Sequence, residues 1–388
     1  MKPKLNFVNA ISDSIKCGGI SMQMEDELVG EIHIFKSPNK NVKLEAKGYP
    51  KVSIFWLNYN SMRIKDIVLS SLESVCELNY PNFELIVVDN GSKDGSYEMI
   101  KRFLSVINVN ACIKLIRLRR NVGFTGGNNI AYKFMDPQSK YFVLLNNDAV
   151  IYQDSISKLV EVMETDDTLG AAQGIILNYH NDLVDSAGIL IDDIFGIHTV
   201  YRGLPPNNMK KSLNVSYTDG AFSIYRVSAV KNSLKCEDKI FDDILFAYLE
   251  DAALGLKLWN SGYKVKSFPF IVAKHVRGST SRGRQQSLVY ILARNHLALA
   301  LSSNTKFKIF ILIFSLRKLI VYFIRYRKNP ILVRAYITAI IDGIKMGRRK
   351  IYGGIDVYNA NVIHMPLKRL ILGALLLRRL LYKDIKIY

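Results

Sequence analysis

Residues 141 to 151, YFVLLNNDAVI, form an apolar run that ends in two amides and a carboxylate. Side chains two apart in a strand point the same way, so Asn146 and Asp148 are expected on one face and Asn147 on the other. Such a face offers an amide for hydrogen bonding and a carboxylate for a hard cation, Mg²⁺ or Mn²⁺, that also holds phosphate oxygens. One protein carboxylate suffices where a diphosphate and water supply the remaining ligands. A strand leaving its sheet through an Asx turn would use the same residue types without any ligand.

Other stretches carry comparable chemistry. Asp89 follows the apolar ELIVV and precedes NGSKDGS, so its carboxylate at a strand tip can accept a ribose hydroxyl or a base N–H. Turn chemistry alone accounts equally well for Asn90, Gly91, Asp94 and Gly95. In NVGFTGGNN, residues 121 to 129, Gly126 and Gly127 would let backbone approach a ligand, and the helix expected next would present an anion-friendly N-terminus. A flexible loop explains it too, and Gly-x-Gly-x-x-Gly is absent.

Glu250 and Asp251 open an amphipathic stretch, where the helix macrodipole favours carboxylates. One of the two could instead serve as a general base, kept ionised and weakened by the helix field. His275 ends FIVAKH, where a neutral imidazole could be a second metal ligand or a partly exposed hydrogen-bonding group.

These residues require a frame. From Lys51 onward, apolar runs that end in polar residues alternate with helical spacing: VSIFWLNYN, IKDIVLSSLESVCEL, FELIVVDNGSKDGS, a helix over about 96–107, IKLIRL, NVGFTGGNN as a loop running into a helix, then YFVLLNND. Such repetition predicts an α/β fold with a largely parallel sheet and right-handed crossovers. Ligands gather beyond the carboxyl ends of such strands, so Asn58 to Asn60, Asp89 to Gly91 and Asn146 to Asp148 should converge. AAQGIIL and DGAFSIYRVSAV read as strands, LEDAALGLKLWNSGY as a helix closed by Gly262, and KVKSFPFIVAKH as extended. Residues 1–48 are irregular apart from a strand-like GEIHIF, and no internal repeat is visible.

Charge divides the chain. Of the 53 Lys and Arg, 22 lie from residue 276 onward with only three acids, Asp342, Asp356 and Asp384, so the whole surplus of +19 resides there. The preceding 275 residues are neutral, which a uniformly basic nucleic-acid binder would not show. The change falls near HVRGSTSRGRQQ, giving an N-terminal extension at 1–48, an α/β domain at 49–285 and a basic, apolar helical region at 286–388. Four cysteines, Cys17, Cys76, Cys112 and Cys236, lack metal-ligand spacing and fit a reducing cytoplasmic setting; no signal peptide is read at the N-terminus. FKIFILIFSLRKLIVYF, residues 307–323, would place Arg317 and Lys318 near mid-bilayer if it spanned, so an interfacial or core helix is expected. PLKRLILGALLLRRLLYKDIKIY repeats the mixture, and each Lys or Arg near an anionic leaflet is worth about 1 kcal/mol. Packing on the α/β domain with a solvated basic face is the alternative.

Taken in order, VSIFWLNYN, NFELIVVDNGSKDGS, NVGFTGGNN, YFVLLNNDAVI, DGAFSIYRVSAV, FDDILFAYLEDAALGLKLWNSGYKV and AKHVRGSTS resemble the family 2 inverting glycosyltransferases of the GT-A fold, most of all their rhamnosyltransferase-like branch. The resemblance covers about residues 51 to 295. It implies that Tyr59, Asn60 and Asp89 hold the nucleotide, and that Asn121, Gly126, Gly127 and Asn128 line nucleotide and sugar. Asn146 and Asp148 would stand at the outer positions of an Asp-x-Asp metal motif whose first acid is here an amide. His275 would be a late metal ligand, Asp251 of the Glu250–Asp251 pair the base, and Asp219 a border of the acceptor cleft.

The implied reaction is displacement of a nucleoside diphosphate from a UDP- or dTDP-sugar, rhamnose among the candidates, by a hydroxyl of a glycan or polyprenyl-linked glycan. Mn²⁺ or Mg²⁺ would assist at the diphosphate, and the enzyme would sit peripherally on the cytoplasmic face of an anionic membrane, with no nucleic-acid partner. Trp56, Ala252 and Ala253 depart from the usual pattern without removing a group the reaction needs. Two rival readings are a non-catalytic membrane or polyanion binder with a degenerate domain, and a sugar-nucleotide pyrophosphorylase, whose basic Gly-rich N-terminal loop is missing near FWLNYNSM.

Overall fold

The computed structural model describes residues 28–35, 48–107, 109, 111–278, 285–349 and 354–375. Most of the expected N-terminal extension, Cys17, the HVRGSTSRGRQQ boundary from Ser279 to Arg284 and the end of the chain from residue 376 lie outside these residues. Strand and helix alternate as expected: β1 (Val29–Phe35), β2 (Val52–Asn58), α1 (Lys65–Cys76), β3 (Phe83–Asp89), α2 (Ser96–Val106), β4 (Cys112–Leu118), α3 (Gly123–Lys133) and β5 (Tyr141–Asn146). Strands β4, β3, β2 and β5 are neighbours and all parallel. Both faces of β3, β2 and β5 are covered, which is why they read as largely apolar runs, whereas β4 carries half-buried Lys114 and Arg117. Val52, Ile54 and Trp56 share one core with Val68 and Leu72 of α1 and Ile100 of α2. Phe55, Ile86 and Phe142 face the opposite core with Ile130 of α3. GEIHIF is the centre of β1, which pairs antiparallel with β4 at the sheet edge.

The chain then adds β6 (Ala149–Ile151), α4 (Ser155–Thr165), β7 (Leu169–Asn178), β8 (Val184–Ser186), β9 (Ile189–Ile191), β10 (Ile197–Thr199), β11 (Leu213–Asn214), β12 (Phe222–Arg226), α5 (Val227–Leu234), α6 (Glu250–Asn260) and β13 (Lys264–His275). The main sheet runs β1-β4-β3-β2-β5-β12-β7-β13-β11, with β6 on β13 and β8 on β7. β12 is antiparallel to both β5 and β7, so the sheet is parallel on the β2 to β5 side and mixed beyond it.

Three local expectations need correction. DGAFSIYRVSAV is strand only over Phe222–Arg226; Val227, Val230 and Leu234 recur at helical spacing and form the apolar face of α5. NVGFTGGNN is no loop: α3 already begins at Gly123, so Gly126 and Gly127 are helical. Packing overrides their poor helix propensity, because a Cβ on Gly127 would stand 2.4 Å from Leu57 Cδ1. Lastly, β5 stops at Asn146 and Asp148 lies in the turn before β6, so strand alternation does not govern where Asp148 points.

The C-terminal part is helical: α7 (Gln285–Ser302), α8 (Lys308–Arg325), α9 (Pro330–Arg348) and α10 (Leu367–Leu375). Leu297, Ala298, Ile311, Tyr336 and Ile340 share a core with Ile191, Phe195, Leu249, Ala252 and Leu256. Among the described residues no helix is long and apolar enough to cross a membrane.

Candidate active site

Three strand ends meet where the parallel sheet delivers them. Register pairs Asn58 with Asp89 and Leu57 with Asn146. Asn58 is fully buried and links the ends: its Nδ2 lies 2.8 Å from Asp89 Oδ1, and its Oδ1 accepts from Asn147 Nδ2 at 3.2 Å. Asn147 therefore has the structural use its position suggested. Asp89 is buried too, with Oδ2 accepting the Ser92 N–H at 3.0 Å, and burial raises its pKa against those hydrogen bonds. Its carboxylate is thus engaged in fastening the turn after β3, while half-buried Tyr59 and Asn60 flank it. Asn60, at φ +48°, accepts from the Lys93 N–H at 2.8 Å.

Asn90, which turn chemistry explains as well as ligand binding does, ties β3 to α3. Its Oδ1 accepts from Val122 N–H and its Nδ2 donates to the Gly123 carbonyl, both at 2.9 Å. Asn121 Oδ1 accepts the Gly123 N–H at 2.8 Å, and Asn128 Nδ2 donates to the Phe124 carbonyl at 2.9 Å. The N–H of Thr125 at the start of α3 donates to the Phe246 carbonyl at 3.1 Å, so this helix end braces a neighbouring loop. Gly123 permits that contact: its φ is +80°, and a Cβ would fall 2.2 Å from the Phe246 oxygen.

A buried ion-pair chain occupies the other side. Antiparallel pairing of β13 with β6 sets His275 opposite Ala149 and hence beside Asp148. Its Nε2 stands 3.0 Å from Asp148 Oδ1, and its Nδ1 stands 3.1 Å from Asp185 Oδ2, supplied by β8. Burial acts to lower the His275 pKa, but hydrogen bonds to the two carboxylates outweigh it and raise it to about 9. Arg277, at φ +52°, continues the chain, donating Nε to Asp185 at 2.7 Å and Nη2 to Asp219 Oδ2 at 2.8 Å. Asp219 is fixed further by Gln173, whose Oε1 accepts the Asp219 N–H at 2.6 Å.

Asp185 and Arg277 were not among the residues expected here. Arg277 lies beyond the end of β13 at a φ of +52°, so strand spacing does not foretell where it points, and Asp185, in a variable loop sequence, carries no signal either. Among the described residues no three His, Cys, Asp or Glu side chains gather to hold a metal by themselves. The raised pKa holds His275 protonated rather than neutral as expected, so a divalent cation at Asp148 and His275 must displace the imidazole proton; a buried carboxylate then faces an imidazole whose far nitrogen is oriented by a second carboxylate, the usual support of a metal-bound histidine. Half-buried Asn146 ends β5 on the approach to this pair.

Glu250 and Asp251 begin α6 and differ sharply. Glu250 is buried, Oε2 has no hydrogen-bond partner, and burial followed by the nearby Asp251 charge drives its pKa well up. Asp251 accepts from the Ala252 N–H at 2.8 Å and stands 3.4 Å from the Gly220 N–H. Burial, then the Asp219 charge, raises its pKa to about 7, opposed by those amides. The expectation that the helix field would keep it low is therefore overturned, because desolvation and a like charge outweigh the dipole. Two adjacent carboxyls, both with raised pKa and Asp251 poised near neutrality, suit proton transfer.

The loop leading to them is strained. Phe246, Tyr248 and Leu249 have φ of +63°, +69° and +71°. Two buried polar residues of α7 hold it: Asn295 Nδ2 lies 2.8–2.9 Å from the carbonyls of Leu245, Ala247 and Tyr248, and Arg294 Nη2 binds those of Ile244 and Leu245. Both are polar neighbours inside the apolar ILARNHLALA, a signal present in the sequence.

Residues 53–234 match the family model described as glycosyl transferase family 2. A poly-beta-1,6-N-acetyl-D-glucosamine synthase of Staphylococcus epidermidis is 24% identical over 249 residues, covering 62% of this chain and 55% of that protein. The chain spans about half the length of such synthases. WfaP of Escherichia coli, a UDP-Glc:alpha-D-GlcNAc-diphosphoundecaprenol beta-1,3-glucosyltransferase, is 25% identical over 220 residues, 56% of this chain and 73% of that one. The crystal structure of S. aureus TarS 1-349 aligns with a TM-score of 0.47 at 16% identity, covering 78% of this chain and 82% of that one.

Proposed function

We propose that this chain, which carries a glycosyl transferase family 2 domain, moves a sugar from a nucleoside diphosphate sugar to an acceptor hydroxyl with inversion at the anomeric carbon. The observation that carries this reading is Asp251: a carboxyl in the first turn of α6 with its pKa raised to about 7, beside Asp219 and Gly220 and directly after a braced loop. As the acceptor oxygen bonds to the anomeric carbon, Asp251 takes the hydroxyl proton. The bond from that carbon to the diphosphate oxygen breaks, and its electron pair leaves with the nucleoside diphosphate. Burial, then the Asp251 charge, raise the Glu250 pKa, which disfavours a second negative charge beside the base.

Asp148 and His275 are the residues that would hold Mn²⁺ or Mg²⁺, which when bound supplies charge neutralisation for the departing diphosphate. Asp185 and Arg277 keep His275 and Asp219 in place. Tyr59, Asn60, Asn121, Asn128 and Asn146 are assigned to the donor side, with Asp89 acting through the turn it fastens.

A UDP-sugar is the favoured donor and a polyprenyl diphosphate-linked glycan the favoured acceptor, supported by the relative that bears both in its name. A dTDP-sugar such as dTDP-rhamnose belongs in the same trial because of the motif resemblance. A cytoplasmic, membrane-peripheral setting is part of the proposal, resting on the sparse cysteines and the basic C-terminal region. The test is a thermal-shift panel of UDP-, dTDP- and GDP-sugars with and without Mn²⁺, followed by transfer assays with the best binder. A donor that stabilises the fold only with Mn²⁺ and is consumed with acceptor supports the reading. Stabilisation by none of them overturns it.

A further inference from the structure

We propose that the outer face of α8, continued by α9, is a docking surface for an anionic lipid bilayer, lying in the interface plane without crossing it. The argument starts from a stripe of α8. Ile309, Leu316, Ile320, Phe323 and Ile324 recur on one side of the helix and are between 54% and 66% exposed. Ile311 and Ser315, buried against the shared core, define the opposite side. A helix of a globular domain buries its apolar side and hydrates the other; here both sides are apolar, so the outward one lacks its cover.

Charge identifies the cover. Arg317 and Arg325 lie on α8 and Arg327 and Lys328 follow it, while Lys308 donates to the Leu301 carbonyl at 2.9 Å and Lys318 lies over the Tyr322 and Tyr336 rings; no Asp or Glu occurs between residue 276 and Asp342. The exposed face of α9 repeats the mixture, with Ile331, Ile337 and Ile341 set among Arg334, Lys345 and Arg348. Its single acid, Asp342, accepts a hydrogen bond from Tyr290 Oη at 2.7 Å. A second copy of the chain seated on this face would bring cations against cations. An anionic bilayer satisfies both halves of the pattern, apolar side chains entering below the headgroups and cations meeting phosphates. No described helix can span, so the geometry is that of a helix lying flat. The docking surface does not depend on the catalytic reading.

Flotation of the full chain tests it, using phosphatidylcholine vesicles with and without phosphatidylglycerol. The parent should float with the anionic vesicles and be released by high salt, and Leu316→Gln/Ile320→Gln/Phe323→Gln should reduce the floated fraction roughly tenfold. Its melting temperature should match the parent's, since all three side chains are exposed; if it does not, Ile320→Gln alone replaces it, with a partial loss expected. Equal flotation of parent and variant, or none by the parent, overturns the proposal. So does a parent dimer that these substitutions disperse without any lipid binding, which would make a second copy the occupant.

Discussion

At the scale of single residues, Asp251 carries the sharpest prediction. A base with pKa near 7 must be ionised to accept a proton, so turnover should rise as pH climbs through about 7 and then level off. Asp251→Asn should lower transfer roughly 10²- to 10⁴-fold while donor affinity stays unchanged, as read by steady-state kinetics and titration calorimetry. Stability should move the other way. The folded state raises this pKa above its ordinary value, so folding is favoured below the usual carboxyl range and loses support as pH rises through 7. At pH 8 the variant should therefore melt a few degrees higher than the parent. At the second pole of the site, Asp185→Asn leaves both proposed metal ligands in place but removes a charge that orients His275, and should weaken Mn²⁺ affinity about 10- to 100-fold by calorimetry. The position of Asp251 was legible in the sequence; its titration was not. The macrodipole is a local property that can be read from a helix start, whereas burial and the neighbouring Asp219 come from segments that meet only in the fold.

Elements show the same division. The bodies of the parallel strands were legible because apolar runs covered on both faces have few alternatives, but the end of β5 was not, since Asp148 falls in the turn beyond it. The glycine-rich segment misled: three glycines in nine residues suggest a loop, and only the closeness of Leu57 and the Phe246 carbonyl explains why helix α3 contains them. Gly123→Ala should cost about 2 kcal/mol or more, from a left-handed backbone and a carbonyl with no room to yield, measured by denaturant unfolding. Helix α7 invites a different measurement. Asn295→Ala takes the side-chain donor from the Ala247 and Tyr248 carbonyls of the strained loop and leaves that of Leu245 to Arg294 alone, so the base should lose its aim while donor binding survives. A fall in kcat of about 100-fold with KM for the donor unchanged is expected. A drop in both, in step with lost melting temperature, would mean that Asn295 serves stability alone.

For the molecule as a whole, the charge map foretold a distinct C-terminal region but not how tightly it is joined to the rest. Ile191, Phe195, Leu249 and Leu256 pack with α7, α8 and α9 in one core, a union formed by contacts distant in sequence that leave no periodic trace. A chain ended after residue 284 should therefore lose its cooperative thermal transition and its activity together, followed by circular dichroism and transfer assay, even though it retains Asp148, Asp251 and His275. The order of synthesis gives the brace on the base loop a further meaning. A ribosome delivers Asp251 well before it delivers Arg294 and Asn295, so the emerging chain holds its reactive carboxyl just behind a loop that α7 does not yet brace. Competence should arise late in translation, when α7 docks, and a stalled or prematurely ended chain should be silent despite carrying the catalytic groups.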